Sequence, residues 1–262
     1  MLWLQLIAFP LLAVGGIRLG IWSARQKNWW IPVTTAFILI ALVIFGVRTE
    51  RLHFLPPFSW LVNLRINPPL MTACISVLLT ILLLKLPQRR TRYLVATAMA
   101  VMLLVYGLFP VIMPLAARAT LLSTPTLIDR LGVCRQRHGF TCGPAAAVTC
   151  LARLGIKADE GPIAVAAHCG PGVGADGWAL ASAMNTAAPG HHFTYRYAAR
   201  PEDLTLPAVA DMNMQSVGGH YIALLAIDGN DILVGDPLTG FDRMPRSEFM
   251  SQWKHGAIEK SH

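Results

Sequence analysis

The residues best suited to chemistry lie in the C-terminal half of the chain, around one cysteine. Cys142 is followed by Gly143 and Pro144, and an alanine-rich apolar run then extends to Leu154. Proline favours the first turn of a helix and Gly155 favours its end, so the pattern predicts a helix that begins near the cysteine. Unpaired N–H groups and the positive end of the helix dipole favour a thiolate at that place. Cys142 is therefore the candidate nucleophile.

A thiolate nucleophile also needs a base, a group that orients the base, and donors for an oxyanion. The stretch 218–227 predicts a strand that opens near His220, and Asp228-Gly229-Asn230 predicts a hairpin turn. The returning strand ends at Asp236, so the hairpin should bring this carboxylate to the imidazole. Gln136, six residues before the cysteine, could point its side-chain amide at the oxyanion, beside the backbone N–H of Cys142.

Several glycines are candidates for contact with a substrate. Gly143 would let a substrate backbone approach the nucleophile, and the segment 172–177 predicts a loop along the cleft that opens a helix at Trp178. Residues 172–177 also match the Gly-x-Gly-x-x-Gly pattern of dinucleotide-binding proteins. The sequence predicts no strand before them and no ribose-binding acidic residue at the required distance after them, which excludes dinucleotide binding. The substrate-binding candidates are Gly143, Gly172, Gly174, Gly177 and Gly219.

Other cysteines and histidines of this half do not predict a metal site. Cys134, Cys150 and Cys169 lack the short Cys-x-x-Cys spacing of structural zinc sites. We therefore expect no metal and no cofactor. A disulfide among these three cysteines is an open alternative if the domain is extracytoplasmic, and the sequence does not choose the pair.

The N-terminal half differs sharply in composition. The chain is 54% hydrophobic and 14% charged, and residues 1–118 carry a net charge of +10 whereas residues 119–262 carry −2. The basic residues flank apolar runs, so we interpret them as a topology signal and expect no nucleic-acid partner.

Four apolar stretches approach the length of a membrane-spanning helix. We expect about four transmembrane helices over residues 1–118, a linker over 119–133 and an α+β domain with an antiparallel sheet over 134–262. The loop charges place both termini outside, so the second domain is expected on the periplasmic or extracytoplasmic side, with the lipid bilayer as a partner. The four stretches are Met1 to Trp22, Ile31 to Val47, Pro69 to Leu84 and Tyr93 to Ala117.

The motifs of the C-terminal half resemble those of the C39 peptidases, papain-like cysteine peptidases best known as the leader-cleaving domains of bacteriocin exporters. The resemblance covers about Val133 to Trp253. It rests on three motifs in order: Gln136 with Cys142-Gly143-Pro144-Ala145, then Gly219-His220-Tyr221, then Asp236-Pro237 with Gly240.

The resemblance implies a papain-like fold and a role for each of four residues. Cys142 would be the nucleophile, His220 the general base and then acid, Asp236 the residue that orients the imidazole, and Gln136 the oxyanion donor. The expected function is a membrane-anchored, stand-alone cysteine peptidase in the bacterial inner membrane. It would process a leader or propeptide of a precursor, cut after small residues such as Gly-Gly, with a separate transporter as a further partner.

Two features depart from the family. Members commonly have an acidic residue before the nucleophile, where this chain has Thr141. The chain has no Gly-x-x-x-x-Gly-Lys-Ser/Thr motif, so it does not power export itself. Two alternatives therefore stay open: a non-catalytic peptide-binding module of a membrane export complex, and an acyl or peptidyl transferase that uses the same thioester.

Overall fold

The computed structural model describes residues 2–49, 51–63, 67–214 and 218–261. The chain divides into two compact units, Met1–Ile112 and Met113–His262. The first unit is helical, and helix α4 packs against α1 and α2. Its helices are α1 (Leu2–Ala24), α2 (Trp30–Arg48), α3 (Phe58–Asn63), α4 (Asn67–Lys85) and α5 (Arg89–Leu103); a π-helical turn (Leu104–Leu108) then leads into α6 (Phe109–Ser123), which continues into the second unit.

Small residues bring α1 and α4 together. A Cβ atom added at Gly16 would lie 2.8 Å from Cβ of Ser76, and one added at Gly20 would lie 2.8 Å from Cβ of Thr80. Because real Cβ atoms do not approach so closely, the two glycines are what permits this spacing of the helix backbones.

The expectation of four transmembrane helices is wrong. Within the described ranges, no helix combines the length and the apolar character that crossing a bilayer requires. An apolar run in a sequence is not the same as one continuous apolar helix. The run from Tyr93 to Ala117 shows this, since it is divided between α5 and α6, of 15 residues each, by the π-helical turn. The multi-pass location in the inner membrane, derived from the four spans, is corrected with it.

The second unit is an α+β domain built on an antiparallel sheet, as expected. Six strands run in the order β3-β8-β4-β5-β6-β7, and β1 pairs with β2 in a separate ribbon. The strands are β1 (Leu127–Ile128), β2 (Cys134–Arg135), β3 (Phe193–Tyr197), β4 (Ala208–Met214), β5 (Gly218–Asp228), β6 (Asp231–Asp236), β7 (Gly240–Pro245) and β8 (Trp253–Lys260); the helices are α7 (Cys142–Arg153), α8 (Glu160–Ala166), α9 (Gly177–Ala187) and α10 (Arg246–Gln252).

The sheet is held by a buried apolar cluster from its central strands and α10. Phe249 of α10 is fully buried and packs among Ile222 and Leu224 of β5, Ile232 of β6 and Trp253 of β8. The cluster fixes the relative positions of β5 and β6, the two strands that carry His220 and Asp236.

We expect that Ile232→Ala lowers the free energy of unfolding by about 2–5 kcal/mol, because it leaves a cavity in a fully buried place. Urea unfolding of the full chain, followed by circular dichroism, measures this loss. Leu131→Ala is the control, since that side chain is 60% exposed. Equal losses in the two variants would contradict the assignment of the core.

Candidate active site

Cys142 is the first residue of α7, as the sequence pattern predicts. It is half-buried, whereas Cys134, Cys150 and Cys169 are buried. Burial, with the nearby charge of Glu160, raises the pKa of Cys134 to about 12, and burial also raises the pKa of Cys150. These two side chains therefore stay thiols at neutral pH and act as core residues. The structure contains no disulfide among the three buried cysteines.

His220 and Asp236 meet through the β5–β6 hairpin, which confirms the expectation for these strands. Nε2 of His220 lies 2.8 Å from Oδ1 of Asp236, and both side chains are buried. The same carboxylate oxygen accepts the backbone N–H of Leu238 at 2.8 Å. The side chain of Cys142 interacts with the same ring and contributes to raising its pKa. Because Nε2 faces the carboxylate, Nδ1 is the ring nitrogen left for the sulfur.

The pKa values of this pair move in opposite directions. Burial lowers the pKa of His220, but the hydrogen bonds to Asp236 and Cys142 outweigh it and raise the pKa to about 9. Burial raises the pKa of Asp236, whereas the hydrogen bonds from His220 and from the backbone of Leu238 lower it, and the net shift is downward. At neutral pH the pair is therefore an imidazolium and a carboxylate.

Gln136 lies in the segment that leads from β2 to α7, and this segment is tied to the Asp236 turn. The backbone N–H of Gln136 donates to the carbonyl of Pro237 at 3.1 Å, and the guanidinium of Arg135 donates to the carbonyl of Leu238. The amide Nε2 of Gln136 donates to the carbonyl of His138 at 2.9 Å. Its Oε1 is buried, and no hydrogen-bond partner for it occurs in the described part of the chain.

Thr141 replaces the acidic residue that the family resemblance leads one to expect, and it has a structural role. It is fully buried, its hydroxyl donates to the carbonyl of His138 at 3.0 Å, and it accepts the backbone N–H of His138 at 3.2 Å. Its carbonyl accepts the N–H of Ala145 at 3.0 Å in the first turn of α7. Thr141 therefore stabilises the turn that places Cys142 at the N-terminus of α7.

The five glycines assigned to substrate binding lie in different surroundings. Gly143 and Gly177 are buried, and each packs against the protein itself: an added Cβ would lie 3.0 Å from Leu180 at Gly143 and 2.5 Å from the ring of Tyr195 at Gly177. The other three are less enclosed: Gly172 and Gly174 have positive φ angles of 69° and 67°, and Gly219 is exposed.

Two buried tyrosines have no role assigned by the sequence analysis, although Tyr221 is part of the Gly219-His220-Tyr221 motif. An added Cβ at Gly143 would lie 3.2 Å from Tyr221, and Tyr195 donates to Oδ2 of Asp211 at 3.1 Å. Lys254 donates to the other oxygen of that carboxylate, also at 3.1 Å. Burial raises the pKa of both tyrosines, so they stay phenols. The sequence could have indicated a position near the site for Tyr221, because this residue directly follows His220.

Comparisons with known proteins identify the family of this chain. The model of the Peptidase C39 family matches residues 130–261, just over half of the chain. The chain therefore belongs to the Peptidase C39 family. A search of curated proteins finds no match.

Solved structures that match include a double glycine motif protease from an AMS/PCAT transporter in complex with the leader peptide, at 19% identity and a TM-score of 0.42, covering 53% of this chain and 94% of that one. The peptidase domain of Streptococcus ComA, a bi-functional ABC transporter involved in quorum sensing, matches at 19% identity and a TM-score of 0.43, covering 53% and 98%. At such TM-scores the assignment to the family rests on the family model.

We expect that Asp236→Asn lowers the pKa of His220, because it removes the charge that stabilises the imidazolium. The folded pKa of His220, about 9, lies above its ordinary value of 6.5. Its contribution to the free energy of unfolding is thus fully present below pH 6.5 and is lost as the pH rises through about 9. NMR titration of the histidine ring measures the pKa directly.

Asp231→Asn is the matched control for this titration. Asp231 lies at the other end of β6 and pairs with Arg243 at the surface. A His220 pKa that stays near 9 in Asp236→Asn, or that falls equally in both variants, would show that Asp236 does not hold the proton on the ring.

Proposed function

We propose that this protein is a cysteine peptidase in which Cys142, His220 and Asp236 form the catalytic triad. The observation that carries the proposal is the buried hydrogen bond between His220 and Asp236, with the side chain of Cys142 near enough to the same imidazole to raise its pKa. A structural histidine at the start of a strand needs neither a buried carboxylate on one nitrogen nor a half-exposed thiol on the other. A cysteine, an imidazole and a carboxylate in this order suit acyl transfer better than binding alone.

In the acylation step, the Cys142 sulfur attacks the carbonyl carbon of the scissile peptide bond. Negative charge develops on the carbonyl oxygen, and the backbone N–H of Cys142 and the amide of Gln136 stabilise it. An amide nitrogen carries two N–H groups; one of those of Gln136 binds the carbonyl of His138, which orients the other. The imidazolium of His220 then donates its proton to the leaving amine, and a thioester remains on Cys142.

In the deacylation step, the neutral imidazole accepts a proton from water while the water oxygen attacks the thioester carbonyl. Collapse of this second intermediate releases the acid product and the thiolate. Asp236 keeps the ring oriented in both steps, because its carboxylate stays bound to Nε2. Hydrolysis rather than transfer needs only that water reaches the acyl group.

The proposed substrate is the leader of a peptide or protein precursor, cut after small residues such as Gly-Gly. The resemblance of the three motifs to leader peptidases supports this choice.

We expect that Cys142→Ala abolishes cleavage of a synthetic precursor with Gly-Gly before the cleaved bond, because no other described group replaces the nucleophile. Mass spectrometry of the products measures this. Cys150→Ala is the matched control, since Cys150 lies on the same helix and is fully buried. Undiminished cleavage by Cys142→Ala would end the peptidase proposal. Equal cleavage of a precursor with Leu-Leu at the same place would end the proposed specificity.

We expect that Gln136→Ala lowers kcat by about 10²–10³-fold with a smaller change in KM, which is typical of the loss of one oxyanion donor. Steady-state kinetics on the same precursor measure both constants. Alkylation of Cys142 by iodoacetamide, which forms no oxyanion, should proceed at an unchanged rate. A parallel loss of alkylation would mean that Gln136 supports the thiolate and not the oxyanion.

A further inference from the structure

Glu160 is a buried acidic residue that the catalytic proposal does not use. It is the first residue of α8, and its side chain is only 1% exposed. Oε1 accepts the backbone N–H of Arg137 at 3.1 Å. Oε2 is buried, and in the ranges that the structure describes it has no hydrogen-bond partner. Burying a carboxyl group with so few hydrogen bonds lowers the stability of the fold. We therefore expect Glu160 to have a role other than stability.

The backbone of Glu160 is held by the segment before β1. The backbone N–H of Glu160 donates to the hydroxyl of Thr126 at 2.9 Å, and that hydroxyl donates to Asp159 at 3.1 Å. Glu160 thus joins the segment that enters the domain to the segment that leads to the nucleophile.

The bond to Arg137 is one of a series of contacts along three consecutive residues. Gln136 donates its backbone N–H to Pro237, Arg137 donates its backbone N–H to Glu160, and the His138 ring contacts the hydroxyl of Thr124 at 2.9 Å. Among these three contacts, the one to Glu160 is made by an acidic side chain that is buried in the domain. It also acts on the residue next to the oxyanion donor.

We propose that Glu160 is a positioning residue for the oxyanion donor Gln136. By holding the N–H of Arg137, it fixes the backbone from which the Gln136 side chain reaches the reacting carbonyl. This inference rests on the proposed peptidase function. A helix dipole would favour an acidic residue in the first turn of α8, but it would not require the side chain to be buried or to bind Arg137.

The test combines substitutions at Glu160 with substitution of Gln136, in the full chain. Glu160→Ala removes the acceptor, and displacement of a positioned group by about 1 Å can cost on the order of 10²-fold in rate. We therefore expect kcat for the Gly-Gly precursor to fall by about 10- to 100-fold, with little change in KM. Glu160→Gln keeps an oxygen acceptor and should restore most of kcat. The alkylation rate of Cys142 should stay at the wild-type value.

The double variant decides whether Glu160 acts through Gln136. If it does, Glu160→Ala causes no further loss of kcat in the Gln136→Ala background. Additive losses, or an alkylation rate that falls with kcat, would overturn the proposal. If Glu160→Ala does not fold, Glu160→Asp replaces it, because it keeps the charge and withdraws the acceptor by one methylene; an unchanged kcat in that variant overturns the proposal as well.

Glu259→Ala is the matched control for the loss of a buried carboxylate. Glu259 accepts the backbone N–H of Thr205 at 2.6 Å and pairs with Arg196, but it lies on β8, toward the far edge of the sheet from β6. We expect it to lower stability without lowering kcat of the folded protein. An equal fall in kcat would overturn the assignment of Glu160. Wild-type protein that does not cleave the precursor would instead refute the peptidase function itself.

Discussion

The hydrogen bond between His220 and Asp236 is the interaction on which the site depends. Both groups are buried, so either charge alone would be destabilising. Together they stabilise each other: the carboxylate raises the pKa of the ring, and the ring lowers the pKa of the carboxyl group. The bond forms only if β5 and β6 pair in the observed register, in which Asp228 faces Asp231 at the turn and Ala223 faces Gly235 near the other end. The apolar cluster under these strands therefore has a direct chemical consequence, because it secures that register.

The nucleophile side of the site is assembled by a different principle. The segment between β2 and α7 has little regular structure, and its place is determined by hydrogen bonds from each successive residue to a separate part of the domain. Gln136 reaches Pro237, Arg137 reaches Glu160, and His138 reaches Thr124 and Thr141. A short segment of this kind can be held accurately because all its anchors belong to one compact unit.

The sequence predicts those elements that depend on residue preferences over a few neighbouring positions. The Cys-Gly-Pro start of α7, the Asp-Gly-Asn turn and the strands on either side of it follow from residue preferences over a few positions. Strand β8 was not predicted: its place between β3 and β4 depends on pairing with residues far away in the sequence. Glu160 was missed for the same reason, since nothing in its neighbours indicates Arg137. The error over the N-terminal helices arose because apolar runs were interpreted without knowing where each helix ends.

The bond from Gln136 to the carbonyl of Pro237 has a consequence for when the site is completed during folding. It joins a residue that precedes the nucleophile to the turn that carries the orienting carboxylate, about a hundred positions later in the chain. A nascent chain that has made α7 but not the β5–β6 hairpin has Cys142 in place without His220 and Asp236 beside it. The three side chains therefore come together only after the ribosome has released the chain up to Asp236.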